Sequence, residues 1–300
     1  MLVSGASGLV GSAAVAALAA RGHRVRALVR NGAPGPGVDE VVVGDVADQG
    51  AWTRALAGID AVVHAAGAMT QDPATLHAVN ERGAQVAAAA VRDAGHARLV
   101  LLSSAAVYAA GPMLDADEDT PLAPADPYGQ SKLSGERAAR AALGERVTIL
   151  RPVSVYATHR PSPFLAAVRA VAAARRLPLI DGGRTPIDLV HADDLAGAIV
   201  AAIEGRGAGG VFNVPGAETA PFLELARLAA AVLGVEVEVV STDDSAPDGC
   251  RGGFDGWLLE VAAIPRTVAG QRARTALVYA PTRGWRYEIA AALAAHAPST

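Results

Sequence analysis

Short apolar runs alternate along the first half of the chain with longer alanine-rich stretches of helical length, and few folds accommodate that rhythm. The runs at residues 1–4, 24–29, 40–44, 61–64, 99–103 and 147–151 carry few charges, as strands buried on both faces do. Between them, 11–21, 51–57, 76–94 and 127–143 have the length of helical crossovers. The reading is an α/β fold, a Rossmann-type doubly wound parallel sheet. After Pro152 the rhythm loosens, with prolines at 161, 163, 178 and 186. A strand at 188–190, a helix from Asp193 and a strand at 211–214 then follow. We therefore expect a nucleotide-binding unit of residues 1–152 with 186–214, and a smaller α/β substrate-binding region of 153–185 with 215–300. Residues 241–256, rich in Asp, Gly, Ser and Pro, read as a loop.

The first strand and first helix are joined by Gly5-Ala6-Ser7-Gly8-Leu9-Val10-Gly11. In this arrangement Gly5 allows a tight turn, Gly8 lets backbone approach a pyrophosphate, and Gly11 lets the helix pack closely on the sheet. Amides at the helix start then face the phosphates. An NAD-binding unit usually places an acid at the end of the second strand to hold the ribose hydroxyls. Here that place holds Arg30, whose guanidinium suits a 2'-phosphate, so NADP(H) is the favoured cofactor and NAD(H) the alternative. Asp45, ending the third strand, is either a partner of the adenine amino group or a turn-forming residue.

Asp126-Pro127 reads as the start of a helix, with an N-cap followed by proline at the first helical position. Tyr128 and Lys132 then lie one turn apart on one face. A tyrosine of pKa ~10 needs on the order of 4 kcal/mol of preferential phenolate stabilisation to titrate near neutrality. An ammonium at roughly 4 Å supplies a similar amount. Composition adds weight: of 26 basic side chains, Lys132 is the only lysine. A compact, tunable point charge is kept where arginine serves everywhere else.

Taken in order, these motifs resemble those of the extended short-chain dehydrogenase/reductases, the NAD(P)-dependent epimerase/dehydratase family. The resemblance runs through the glycine turn, Gly44-Asp45-Val46, His64-Ala65-Ala66-Gly67, Asn80, Ser103-Ser104-Ala105-Ala106-Val107-Tyr108, Tyr128-x-x-x-Lys132, Leu150-Arg151-Pro152, His191-Ala192-Asp193-Asp194 and Asn213-Val214-Pro215-Gly216. It implies a nicotinamide across the carboxyl ends of the strands. By the same resemblance Tyr128 is the general acid or base, Lys132 tunes it and holds the ribose, and Ser104 hydrogen-bonds the substrate oxygen. Ser103 and Asn80 are given supporting roles. The implied cofactor contacts are Gly5, Ser7, Gly8, Leu9, Val10 and Gly11 in the turn, Arg30, Asp45 and Val46 beyond it, then Ala65, Ala66, Gly67 and Pro152, with Tyr128 and Lys132.

The favoured reaction is hydride transfer between the nicotinamide and a carbonyl or alcohol of a small organic substrate. Nucleotide-sugar epimerisation is the alternative, and a non-enzymatic dinucleotide sensor a third reading. Family dehydratases carry an Asp-Glu pair where this chain has Ala105 and Ala106, and sugar-nucleotide members an asparagine where it has Ser154. Preference for NADP(H) favours net reduction. Tyr156, His159, Arg160, Phe164, Arg184 and Trp257 are candidates to line the substrate site, with core or surface as the plainer reading, and 115–119 reads as a solvated acidic loop.

A net charge of -4 without basic stripes argues against a nucleic-acid partner. One cysteine, Cys250, and no metal-ligand spacing fit a reducing cytoplasm and no metal; His64 and His191 are expected as strand-end residues. The apolar start lacks the basic segment of a signal peptide, and no apolar run reaches membrane-spanning length. Pairing into a homodimer through exposed helices is common in the family.

Overall fold

The computed structural model describes the chain except residues 32–33, 96, 110, 159, 161, 175, 180–182, 237, 242–264 and 296–300. It opens with β1 (Leu2–Ser4), α1 (Leu9–Ala20), β2 (Arg26–Val29), β3 (Glu40–Val43), α2 (Gln49–Ala55) and β4 (Ala61–His64). A short α3 (Pro73–Leu76), a π-helical turn His77–Arg82 and α4 (Gly83–Ala94) lead to β5 (Arg98–Leu102). Then come β6 (Met113–Ala116), α5 (Pro127–Leu143), β7 (Val147–Pro152), β8 (Ser154–Tyr156), α6 (Pro163–Ala174), β9 (Arg176–Leu179) and β10 (Pro186–His191). The chain continues through α7 (Ala192–Ile203), β11 (Val211–Val214), β12 (Thr219–Pro221), α8 (Phe222–Leu233), β13 (Glu238–Ser241), β14 (Arg266–Val268), α9 (Gln271–Ala276) and α10 (Trp285–Ala295).

Seven parallel strands form the main sheet in the order β3-β2-β1-β4-β5-β7-β11. The inner strands are mostly apolar because they are buried on both faces, with successive side chains pointing to opposite sides, whereas the edge strand β3 is largely exposed. Val3, Val63, Val100 and Leu150 pack with Val15 and Leu18 of α1 and Ile199 and Ile203 of α7. Leu2, Val62, Leu99 and Ile149 pack the other way, onto Trp52 of α2, Val91 of α4 and Leu143 of α5. Strand order reverses between β1 and β4, which opens the crevice where ligands bind in such sheets.

A second sheet runs β12-β10-β14-β6, with β8 paired to β10. Its own core joins Ile187 and Leu189 to Phe164, Phe222, Leu225, Trp285 and Ile289. Strand 186–191, grouped by sequence with the nucleotide-binding unit, therefore hydrogen-bonds in the other sheet, as does β6 from within 1–152. With α7 and β11 the chain returns to the first sheet, before β12 and β14 rejoin the second.

The acidic stretch 115–119 is not a solvated loop throughout. Asp115 lies in β6 with a positive φ of 52°, and the Glu118 side chain is buried, accepting from the Asn213 amide at 2.8 Å. Ser241 ends β13, and the rest of the expected loop lies outside the described residues. Among the described residues no helix is long and apolar enough to cross a membrane.

Candidate active site

At the end of β1 the chain turns with Gly5 at φ +71°, and a Cβ there would stand 2.6 Å from the Ala66 nitrogen. The turn is thus pressed backbone to backbone on the end of β4. A Cβ at Gly11 would come within 2.0 Å of the Gly5 carbonyl oxygen, so α1 leaves from directly beneath the turn. Gly8 is exposed at the start of α1, where no side chain caps the helix. A Cβ on Gly8 would meet only the Gly5 oxygen, at 3.2 Å. An uncapped helix start beside a cradle of backbone fits the pyrophosphate of a dinucleotide. Ser7, Leu9 and Val10 are half-buried around it.

Farther along the crevice, Arg30 is exposed at the end of β2. Asp45 Oδ1 accepts from the Ala47 amide at 2.8 Å, bracing the turn after β3. Val46 presses on α4, its Cγ2 2.9 Å from where a Gly83 Cβ would be, and its carbonyl accepts from Trp52 Nε1. Pro152 is buried at the end of β7.

The residues expected to do chemistry come from two elements. Ser104 follows β5 and caps the short helical turn Ala105–Val107, its Oγ accepting from the Ala106 amide at 3.1 Å. Asp126 caps α5 by accepting from the Gly129 amide at 2.9 Å, with Pro127 at the first position. A Cβ at Gly129 would lie 2.3 Å from the Ala106 carbonyl, so glycine is what lets α5 close on the Ser104 turn. Closing α5 on that turn brings Tyr128 and Ser104 together, and the Ser104 side chain acts on the titration of the phenol.

Lys132 is buried, and its Nζ donates to the Leu102 carbonyl at 2.6 Å. Burial pushes its pKa down to about 8, while Glu136, one turn further on, acts to raise it. The Tyr128 pKa lies above its ordinary value, through burial, with the Ser104 hydrogen bond acting to lower it. Lys132 Nζ is turned to Leu102, and its charge also bears on His64.

Gly67 faces the same place: a Cβ there would be 3.5 Å from Lys132 Nζ and 3.6 Å from Asn80 Oδ1. Asn80 sits in the π-helical turn, its amide paired in both directions with the Ala68 backbone at 2.8 and 2.9 Å, and donating to Ser131 Oγ at 3.0 Å. Such turns re-aim one residue out of helical register. Here the turn ties the β4 loop to α5. His64 ends β4, its Nδ1 2.7 Å from Ser4 Oγ, and burial lowers its pKa to about 3, so it is neutral. His191 ends β10 and accepts from the Asp193 amide.

Of the proposed substrate-lining residues, Tyr156 and Phe164 are core. Arg184 is exposed, Arg160 reaches the glycine turn at the Ser7 carbonyl, and His159 and Trp257 lie outside the described residues, as does Cys250. Sequence reading missed a buried network behind the site. Arg151 holds Glu136 bidentately at 2.9 and 2.7 Å and donates to the Tyr108 hydroxyl at 3.1 Å, which donates to Asn213 Oδ1 at 2.7 Å. The available signal was an arginine and an asparagine inside otherwise apolar strands.

The profile of the NAD dependent epimerase/dehydratase family matches residues 1–215. A 3-diazoavenalumate denitrifying reductase of Streptomyces sp is 33% identical over 311 residues, covering 95% of this chain and 97% of that one. A dTDP-4-dehydrorhamnose reductase of Mycolicibacterium smegmatis is 30% identical over 262 residues, covering 80% of this chain and 71% of its own. A solved short-chain dehydrogenase/reductase superfamily protein from Agrobacterium tumefaciens with bound NAD superposes at TM-score 0.78 with 28% identity, covering 98% of this chain and 96% of that one. With a Rossmann sheet, an open glycine cradle and the Ser104, Tyr128 and Lys132 positions in the family's order, the chain belongs to the NAD-dependent epimerase/dehydratase family of extended short-chain dehydrogenases/reductases.

Proposed function

We infer that this NAD(P)-dependent enzyme is a reductase that draws on NADPH and converts a carbonyl of a small organic substrate to the alcohol. The observation that carries the acid role is the Tyr128 phenol. Burial holds its pKa above the ordinary value, so at neutral pH it keeps the proton that a nascent alkoxide requires. A reduced nicotinamide, when bound, supplies the hydride to the carbonyl carbon. Tyr128 gives its proton to the carbonyl oxygen, and Ser104, on the turn that α5 closes against, orients that oxygen. Lys132 is an ammonium at pH 7 and favours the phenolate left behind. Asn80 keeps the β4 loop and α5 in register around it. The acid pair of family dehydratases is replaced by Ala105 and Ala106, whose short turn offers no carboxyl group. The reductase names of the two sequence relatives support the same direction.

The test is a screen of purified protein for NADPH consumption over ketones and aldehydes, beside UDP- and dTDP-sugars followed for isomer change. Net NADPH oxidation is the expected result, and isomerisation without net cofactor change overturns it. Tyr128→Phe is expected to lower turnover by at least about a hundredfold with dinucleotide affinity retained.

A further inference from the structure

The segment between β8 and α6 is tied to both halves of the molecule. Tyr156 is buried edge-on to the His191 ring, with centroids 5.2 Å apart. Thr158 Oγ1 donates to Glu288 Oε2 of α10 at 2.9 Å, and Arg283 Nη1 donates to the same carboxylate at 2.7 Å. Two residues beyond Thr158, Arg160 Nη1 donates to the Ser7 carbonyl at 2.6 Å. Below it, Leu9 packs on Ala157, Ala192 and Ala196, which fixes the segment over the start of α1.

This placement is electrostatically odd. A helix start carries partial positive charge, and a cation beside it is repelled. Yet α1 has no acidic residue in its first turn and no side-chain cap, and among the described residues no carboxylate pairs with Arg160. Its one partner is a neutral carbonyl, and the residue is only half-buried, so further guanidinium donors stay accessible. Two positive groups converging on one turn are reconciled by an anion between them.

We propose that Arg160 binds the pyrophosphate of the dinucleotide, completing from the substrate half a site whose other wall is the glycine turn. The Ser7 carbonyl holds the guanidinium in position, and its planar donors suit paired phosphate oxygens. This rests on the dinucleotide-dependent function inferred above. It differs from the part given to Arg30, because the pyrophosphate is common to NADPH and NADH and the 2'-phosphate is not.

The experiment is calorimetric titration of the full chain with NADPH, NADH and ADP, and competition by adenosine, which carries no phosphate. Arg160→Ala should weaken all three phosphate ligands by about tenfold, the loss of one charge-assisted contact, with adenosine affinity and the ligand-free melting midpoint held. Arg160→Lys should fall between the two. Unchanged ADP affinity overturns the proposal. Equal weakening of adenosine, or a lowered ligand-free midpoint, assigns Arg160 to loop support and also overturns it. A wild-type protein that binds neither dinucleotide overturns the functional reading itself, a result separate from any effect of the substitution.

Discussion

Replacing Lys132 by methionine should make the protein more stable while removing its activity. The side chain is buried at the end of β5, and burial brings its pKa from 10.5 to about 8. That lowering corresponds to about 3 kcal/mol of opposition to the charged form at pH 7. Methionine has similar length, needs no desolvation of charge, and leaves Glu136 its bidentate partner Arg151. It forfeits the hydrogen bond to the Leu102 carbonyl, which costs about 1 kcal/mol. The net expectation is a gain of about 2 kcal/mol, read as a higher urea midpoint at unchanged slope. Between about pH 8 and 10.5 the folded wild type has released a proton that the unfolded chain still holds, so its stability rises with pH across that window. The advantage of the variant should therefore be full below pH 8 and shrink toward pH 10. A variant no more stable than wild type at pH 7, or a difference that does not narrow with pH, would refute the reasoning.

Breaking the Arg151 and Glu136 pair, whose side chains are 4% and 5% exposed, should cost about 3 kcal/mol or more in the Glu136→Gln variant. Adding Arg151→Met should recover much of that in the same denaturation assay. Gly11→Ala places a methyl 2.0 Å from the Gly5 carbonyl oxygen and should lower the melting midpoint and weaken dinucleotide binding, by about 1–3 kcal/mol in stability. Gly197→Ala, on an exposed helical face with nothing within 4 Å, should raise the midpoint slightly, by up to about 1 kcal/mol. Arg30→Ala should raise the Kd for NADPH by about tenfold and leave that for NADH unchanged in parallel titrations. Equal effects on both cofactors would remove the case for a 2'-phosphate contact.

The first sheet was legible because its inner strands are buried on both faces and so are written as mostly apolar runs, and because Gly5 and Gly11 stand where backbone meets backbone. Boundaries shifted by only a residue or two, as with the strand read at 24–29 and found at Arg26–Val29. The second sheet was harder. Its strands are short, and β6 carries an aspartate at positive φ inside an acidic stretch, so its pairing with β14 left no periodic trace. The helix expected over 76–94 is interrupted by the turn that presents Asn80, because an extra residue in the backbone ladder leaves no compositional mark. Tyr128, Lys132 and Ser104 could be named from spacing, whereas the partner chosen by Lys132 Nζ depends on where the Leu102 carbonyl points.

The chain crosses between the two sheets again and again: β6 lies in the second, β7 in the first, β8 and β10 in the second, β11 in the first, and β14 pairs with both β6 and β10. A fragment ending at residue 215, where the family profile stops, would strip β10 of its neighbours β12 and β14 and expose two apolar rows. Contacts so distant along the chain form late, which favours slow folding and one cooperative unfolding transition.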